Sequence, residues 1–324
     1  MAALVETTGL ALHFPAPRSL GEALRGQRPM VRAVDHVDLS IARGESVGLL
    51  GESGCGKTST GRLLLDLVRP TAGTVTFDGK NLRALDKAGS RAFRRRAQLV
   101  FQNPFDALNP RFTIARCLAE PLVNTGVPKA EHESRIAKAL ERVRLPALAR
   151  FESTYPHELS GGQLQRVVLA RALVLEPEFI VADEPVSMLD VSVRAGILNV
   201  LREVRDGMGL AALYISHDVA LVRYLCARVM VMYLGIIVED GPTADVVRQP
   251  LHPYTKALVQ AVPVPRVDQS RAPLPITGNV PDARNPPSGC RFRDRCPAAM
   301  ARCAEEIPAL RDVGDGRRVA CHLV

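Results

Sequence analysis

Between Val34 and Ile41 apolar and polar residues alternate, and Ser46 to Leu50 is an apolar run that ends in a glycine-rich turn. Both patterns predict strands, as do Thr74 to Phe77 and Leu99 to Phe101. From Phe105 to Leu175 the period changes. Ile136, Leu140 and Val143 recur at helical spacing, as do Leu164, Val167, Val168, Ala172 and Leu175, which predicts a helical insert over about 103–177. Apolar strands return at Phe179 to Ala182, Ala211 to Ile215 and Val229 to Tyr233, the near-continuous runs expected of a parallel sheet covered on both faces. After His252 the pattern breaks up, with Pro263, Pro265, Pro273, Pro275, Pro281, Pro286 and Pro287 in one stretch. Such a segment reads as an extended linker or wrapping arm before a small cysteine-bearing end.

Composition narrows this picture. With 324 residues and 47% hydrophobic content, the chain can bury one large core, or one core and an appendage, and disorder throughout is excluded. The longest clean apolar stretch, Val229 to Val238, is about half the roughly 20 residues that a membrane-spanning helix needs, so no bilayer crossing is expected. The first residues lack a charged segment followed by an apolar run and a small-residue cleavage site, which predicts a cytoplasmic protein. A net charge of +8 and the run Arg91, Arg94, Arg95, Arg96 suit either nucleic acid, an anionic membrane face or a solvated helix face. The last fits better, because a single Phe93, and not the series of aromatic residues that a nucleic-acid platform requires, interleaves with the run.

The candidate chemistry begins at Gly51-Glu52-Ser53-Gly54-Cys55-Gly56-Lys57-Thr58, which fits G-x-x-x-x-G-K-[ST] between a predicted strand and a helix starting near Thr58. Glycines in such a loop let successive N–H groups turn inward as an anion nest, and the helix N-terminus adds partial positive charge. Lys57 is placed to reach terminal phosphates and Thr58 to offer a hydroxyl to Mg²⁺. Further on, the apolar strand Phe179 to Ala182 delivers Asp183 and Glu184 at its carboxyl end, where open parallel sheets place ligand chemistry. Asp183 suits the Mg²⁺ shell and Glu184 suits polarisation of an attacking water; paired acids after a strand also simply start helices.

Leu159-Ser160-Gly161-Gly162-Gln163, at the start of a helix predicted over Leu164 to Leu175, resembles the signature sequence of ATP-binding-cassette ATPases. Gln102 in Val-Phe-Gln-Asn-Pro, Asp190 in Ser187-Met188-Leu189-Asp190 and His217 in Tyr-Ile-Ser-His217-Asp218 are similar to the remaining elements of that family, in its order. The resemblance implies a P-loop NTPase of α/β class with a parallel-sheet core, an antiparallel β subdomain, a helical insert and a small C-terminal extension. It implies ATP bound by Gly51, Ser53, Gly54, Cys55, Gly56, Lys57, Thr58 and Ser59, with adenine stacked on an upstream aromatic residue, for which Phe14 is the candidate and a core position its alternative. Mg²⁺ falls to Thr58, Gln102 and Asp183, and catalysis to Glu184, His217 and Gln102. Ser160, Gly161, Gly162 and Gln163 become a second anion site serving ATP held by another cassette, with Asp190 linking the two. Met188 departs from the commoner Ser-Ala-Leu-Asp form by a larger apolar group.

His252-Pro253-Tyr254-Thr255-Lys256-Ala257-Leu258 and the ending Gly-Cys-Arg-Phe…Arg-Cys-Pro resemble the extension of oligopeptide and dipeptide importer ATPases. The division this implies is a cassette over 1–250 and the extension over 251–324. The implied protein is a peripheral ATPase on the cytoplasmic face of the inner membrane that energises peptide import. Its partners are a second cassette, expected to be a paralogue rather than a copy, two permease subunits and, indirectly, an extracytoplasmic substrate-binding protein. Import of nickel, glutathione or another small solute is the alternative, and a non-transport cassette acting on nucleic acid a remoter one. Cys290, Cys296, Cys303 and Cys321 gather four of the seven cysteines with spacings C-x5-C-x6-C-x17-C. In a reducing cytoplasm they are inert thiols or a metal centre. They lack the C-x₂-C pairs usual for zinc, though zinc stays open. A [4Fe–4S] cluster tolerates varied spacing, and the importer tail is similar to that of members that bind one. Arg291, Arg293 and Arg295 are then expected to offset the cluster's charge.

Overall fold

The computed structural model describes residues 3–16, 26, 29–262, 276, 278 and 281–324. Pro263, Pro265, Pro273 and Pro275 of the proline-rich segment lie outside them. The chain divides into two compact units, one drawn from residues 3–5, 40–46 and 76–215, the other from 6–39, 47–75 and 216–324.

Strands β1 (Ala3–Pro15), β2 (Met30–Val37), β3 (Ser40–Ala42) and β4 (Ser46–Leu50) open the chain, and helix α1 (Lys57–Leu64) follows the glycine loop. The alternation read as one strand over 34–41 is thus two, interrupted at Asp38 and Leu39. No strand is predicted over β1, because bulges at Leu10/Leu12 and Leu12/His13 break its alternation. Next come β5 (Ala72–Phe77), β6 (Lys80–Asn81), α2 (Lys87–Arg96) and β7 (Ala97–Val100).

In the first unit β7, β8 (Phe179–Asp183) and β9 (Ala211–Ser216) run parallel, with Ala97 opposite Phe179 and Phe179 opposite Ala211. Every residue of β8 and β9 is buried, which is why their sequences are apolar without alternation. The insert is helical as predicted: α3 (Ile114–Thr125), α4 (His132–Arg142) and α5 (Gly161–Leu173). Ile136, Ala139 and Leu140 of α4 are buried, and Val143 closes that helix at its C-cap. The long helix α6 (Val191–Met208) starts at an Asp190 cap and stops at Gly209, whose φ of 60° suits glycine. The arginine run lies on α2, where Arg96 pairs with Asp78 and Glu178, and Arg43 pairs with the same two acids. A structural network thus accounts for that end of the run.

In the second unit β4 lies parallel to β10 (Arg228–Tyr233), and β10 turns back antiparallel into β11 (Ile236–Pro242) through Leu234 and Gly235, both at positive φ. The longest apolar stretch is therefore a buried hairpin, and no helix among the described residues is long and apolar enough to cross a membrane. Helices α7 (Val219–Leu225) and α8 (Pro253–Gln260) follow β9 and β11. The chain end joins this sheet: β12 (Arg311–Asp312) pairs with β13 (Arg318–Val319), and β13 pairs with β11 through Glu239 opposite Val319. Glu239 is fully buried, and its carboxylate accepts from the Leu251 and His252 N–H groups and from Arg317 at 2.7 Å. A buried carboxylate is costly unless so satisfied, and these bonds tie the segment after β11 and the last strand to one acid.

Candidate functional site

The second unit holds the glycine loop. β4 is buried throughout and releases the chain at Gly51, where a Cβ would stand 2.3 Å from the Met232 carbonyl oxygen. Gly56, at φ 108°, caps α1, and a Cβ there would meet the Ala33 carbonyl at 2.0 Å. Neither position admits a side chain, and Gly54 adds a further positive φ. The result is a backbone cradle of the kind that binds phosphate. Lys57 is buried, and its Nζ donates to the Gly51 carbonyl at 2.7 Å and the Glu52 carbonyl at 2.8 Å. Thr58 and Ser59 lie half-buried in the first turn of α1, while Ser53 is exposed. Burial pushes the Cys55 thiol up, against the pull of Lys57, so it serves here as a neutral packing group. Phe14, on β1 opposite Val31, is 41% exposed and so presents a ring to solvent. His217 is exposed just after β9, and the next residue, Asp218, caps α7 by accepting from the Ala220 N–H.

The first unit holds the carboxylates. Asp183, the last residue of β8, is buried, whereas Glu184 is half-buried at φ 44° with its N–H donating to the Ile215 carbonyl at 2.9 Å. A left-handed glutamate is strained, and strain of this kind collects where a side chain must be aimed. Gln102, two residues beyond β7, donates its Nε2 to Glu184 Oε2 at 3.2 Å, so these two predicted catalytic residues do meet. Ser160 caps α5, with the Gln163 N–H donating to its Oγ and the Gln163 Oε1 accepting from the Ser160 N–H. Gly161 is exposed, and a Cβ on Gly162 would fall 2.5 Å from a Val193 methyl, which explains the second glycine by close packing on α6. Asp190 caps α6, accepting from Ser192 Oγ at 2.7 Å and the Val193 N–H at 3.0 Å, and the Ser192 bond leads in holding its carboxyl below the usual range. Beside it Met188 and Val191 are 64% and 82% exposed.

The four late cysteines are free thiols. The Cys290 N–H donates to the Cys303 carbonyl at 2.8 Å. Burial, then repulsion from Cys303, Cys321 and Cys296, pushes Cys290 up to about 11, and Cys296 and Cys321 are raised by burial and by neighbouring thiols. The four thus share one electrostatic neighbourhood. Their side chains do not form a preassembled metal centre, however: among the described residues no group of three or more His, Cys, Asp or Glu stands at metal-holding spacing. The arginine expectation is also corrected. Arg291 pairs with Asp35 and the Leu234 carbonyl, Arg293 with Ser288 and Asp294, and Arg295 with Glu52, so each has an oxygen partner other than the cysteines.

Spacing arguments miss Tyr254 and Arg295 as neighbours of the loop. Tyr254 accepts the Glu52 N–H at 2.8 Å from 202 residues away, and no local pattern could reveal it.

Two family models match the chain: "ABC transporter" over residues 34–187 and "Oligopeptide/dipeptide transporter, C-terminal region" over residues 238–303. A protein of Brucella ovis that bears the name of a peptide import ATP-binding protein is 48% identical over 319 residues, covering 98% of this chain and 97% of the relative. YkfD of Bacillus subtilis, named for oligopeptide transport ATP-binding, is 45% identical over 99% of this chain and 95% of its own. Among solved structures, the dimeric ATP-binding cassette MJ0796 with ADP and Pi is similar at a TM-score of 0.63 and 26% identity, over 74% of this chain and 98% of that one. CbiO1 of Clostridium perfringens, part of the transporter complex cbiONQ, is similar at 0.64 and 25% identity, over 76% and 91%.

Proposed function

Because this chain belongs to the ATP-binding-cassette transporter ATPases of the oligopeptide and dipeptide importer group, we propose how its residues divide the work of energising peptide import. The protein is an ATPase, and the observation that carries its peptide assignment is full-length likeness to peptide-import ATP-binding proteins together with the matched C-terminal region.

The loop is the proposed phosphate site: the backbone of Gly51, Ser53, Gly54, Cys55 and Gly56, two of whose glycines admit no side chain, forms the cradle, and Lys57, Thr58 and Ser59 complete it. The exposed ring of Phe14 stacks on adenine. Thr58, Gln102 and Asp183 are the residues proposed to hold Mg²⁺, each offering a hard oxygen donor, and the ion would supply charge neutralisation at the phosphates. Glu184 takes the proton of the attacking water, its carboxylate steadied by Gln102. His217 donates to the γ-phosphate. Ser160, Gly161, Gly162 and Gln163, at the head of α5, serve the nucleotide of a second cassette, and Asp190 with its exposed apolar neighbours faces that partner.

The working complex is a peripheral assembly at the cytoplasmic membrane face: this chain, a paralogous cassette and two permease subunits, fed by a substrate-binding protein. The segment over 251–324 is its importer-specific part. Cys290, Cys296, Cys303 and Cys321 would hold a [4Fe–4S] cluster, which would cross-link a small segment structurally. Four cysteine thiolates are the donor set that such a cluster takes, and its cationic core would offset the mutual repulsion at Cys290, Cys296 and Cys321. Iron and sulfide content tests this.

Import is tested by reconstituting the full chain with its permease subunits and binding protein in vesicles. Uptake of a di- or oligopeptide that requires ATP on this chain's side is expected. A complex that moves nickel or glutathione but no peptide overturns the substrate assignment.

A further inference from the structure

Three contacts meet on Glu52, the second residue of the glycine loop, and two of them come from beyond residue 250. Its N–H donates to the Tyr254 hydroxyl at 2.8 Å. Its carboxylate receives the Arg295 guanidinium as a fork, Nη1 to Oε2 at 2.8 Å and Nη2 to Oε1 at 3.1 Å. Its carbonyl accepts from Lys57 Nζ at 2.8 Å. The fork is sheltered, since the Arg295 side chain is 6% exposed and that of Glu52 28%. The guanidinium stands 5.8 Å from the Tyr233 ring centre and 5.9 Å from that of Phe292, and the rings of Tyr233, Tyr254 and Phe292 pack against one another at 4.6–5.5 Å.

Arg295 does not hang from a free tail. It ends the short turn between Cys290 and Cys296, which bonds internally from the Arg293 N–H to the Cys290 carbonyl and from the Cys296 N–H to the Arg293 carbonyl. Four residues earlier the same turn sends Arg291, equally buried, to Asp35 on β2 and to the Leu234 carbonyl in the β10–β11 hairpin. Burial pulls the Asp35 carboxyl up, yet hydrogen bonds from His36 and Arg291 hold it below its ordinary range. The turn is thereby fixed on both sides, and the Glu52 bond leads in raising the pKa of Arg295.

The electrostatic consequence follows from the loop's task. A carboxylate one residue into an anion nest opposes a polyanionic ligand, and in a partly buried site that opposition is poorly screened. A bidentate guanidinium offsets the charge and fixes its position together. It also holds the carbonyl on which Lys57 rests.

We propose that Arg295, seated by the Cys290–Cys296 turn and aided by Tyr254, is a positioning residue for nucleotide binding, neutralising and immobilising Glu52 so that the loop and Lys57 are set for phosphate. This rests on the reading of residues 51–59 as the nucleotide loop. The cysteine-bearing segment thus takes part in the ATP site through a defined ion pair.

The test measures binding of a fluorescent ATP analogue with Mg²⁺ to the full chain, with thermal unfolding in the absence of nucleotide as the check on folding. Arg295→Gln is expected to weaken binding by about tenfold, the scale of one charged hydrogen-bond pair. Arg295→Lys keeps the charge but loses the fork, so its binding should fall between wild type and Arg295→Gln. The double variant Glu52→Gln/Arg295→Gln recovers most of the loss, because the carboxylate that needed neutralising is gone. A merely structural arginine gives no such recovery. Binding by Arg295→Gln within about twofold of wild type, or a double variant as weak as the single, overturns the proposal. Should Arg295→Gln not fold, Tyr254→Phe decides: it removes one hydroxyl, and binding about threefold or more weaker at an unchanged unfolding midpoint supports the proposal, while unchanged binding overturns it. Lys57→Ala is the reference. If it binds the analogue as wild type does, the loop reading itself fails; if it loses binding while Arg295→Gln does not, only the present inference fails.

Discussion

Three features support the general-base role proposed for Glu184: a φ of 44° that sets the direction of its side chain, a backbone bond to Ile215 that holds the turn, and a carboxylate oriented by Gln102 at 3.2 Å. Glu184→Gln preserves the shape and can still accept the Gln102 hydrogen bond at its own Oε1, but an amide takes no proton at neutral pH. The variant should therefore bind ATP and hydrolyse it about 10²- to 10⁴-fold more slowly, accumulating as a closed pair of cassettes. Single-turnover hydrolysis measures this, and turnover within about threefold of wild type would remove Glu184 from the role. The glutamate was legible because it follows an apolar strand directly. Its strain and its meeting with Gln102, 82 residues away, were not, since both depend on how β7 and β8 pair.

At the scale of elements, the strands and helices that read clearly are those with one dominant period. β4, β8 and β10 match their apolar runs to within a residue or two, and the insert helices match their 3.6-residue spacing. The strands that did not read are β1, bulged, β11, whose apolar start merges with β10 across the Leu234-Gly235 turn, and the two-residue β6, β12 and β13. The cysteine-bearing segment has no period at all, and its spacing pointed to chemistry without placing it. Burial and neighbouring thiols raise Cys290, Cys296 and Cys321, so thiolate ligation by these three depends on a compensating cationic centre. Protein purified without oxygen is expected to be brown, with iron and acid-labile sulfide each about four per chain. Colourless protein with stoichiometric zinc, or with no metal, would overturn the cluster.

For the molecule as a whole, the proposed pairing of cassettes gives a role to the exposed head of α5 and to the exposed Met188 and Val191 flanking Asp190. ATP hydrolysis per molecule should then fall as the protein is diluted below the dimer affinity and return when a partner cassette is added. A rate per molecule that stays constant on dilution would exclude the two-cassette mechanism for this chain. By itself the sequence determined the family, and it marked the glycine loop, the paired acids and the segment over 159–163 as candidates, because each is a contiguous motif whose residues lie a few positions apart. Only the tertiary structure decided that the tail's arginines belong to the cassette. Arg295 meets Glu52 across 243 residues, Arg291 meets Asp35 across 256, and Arg317 meets Glu239 across 78. A buried charge must find an opposite charge, but which one it finds is set by strand pairing and side-chain packing, and these leave no periodic trace in the chain.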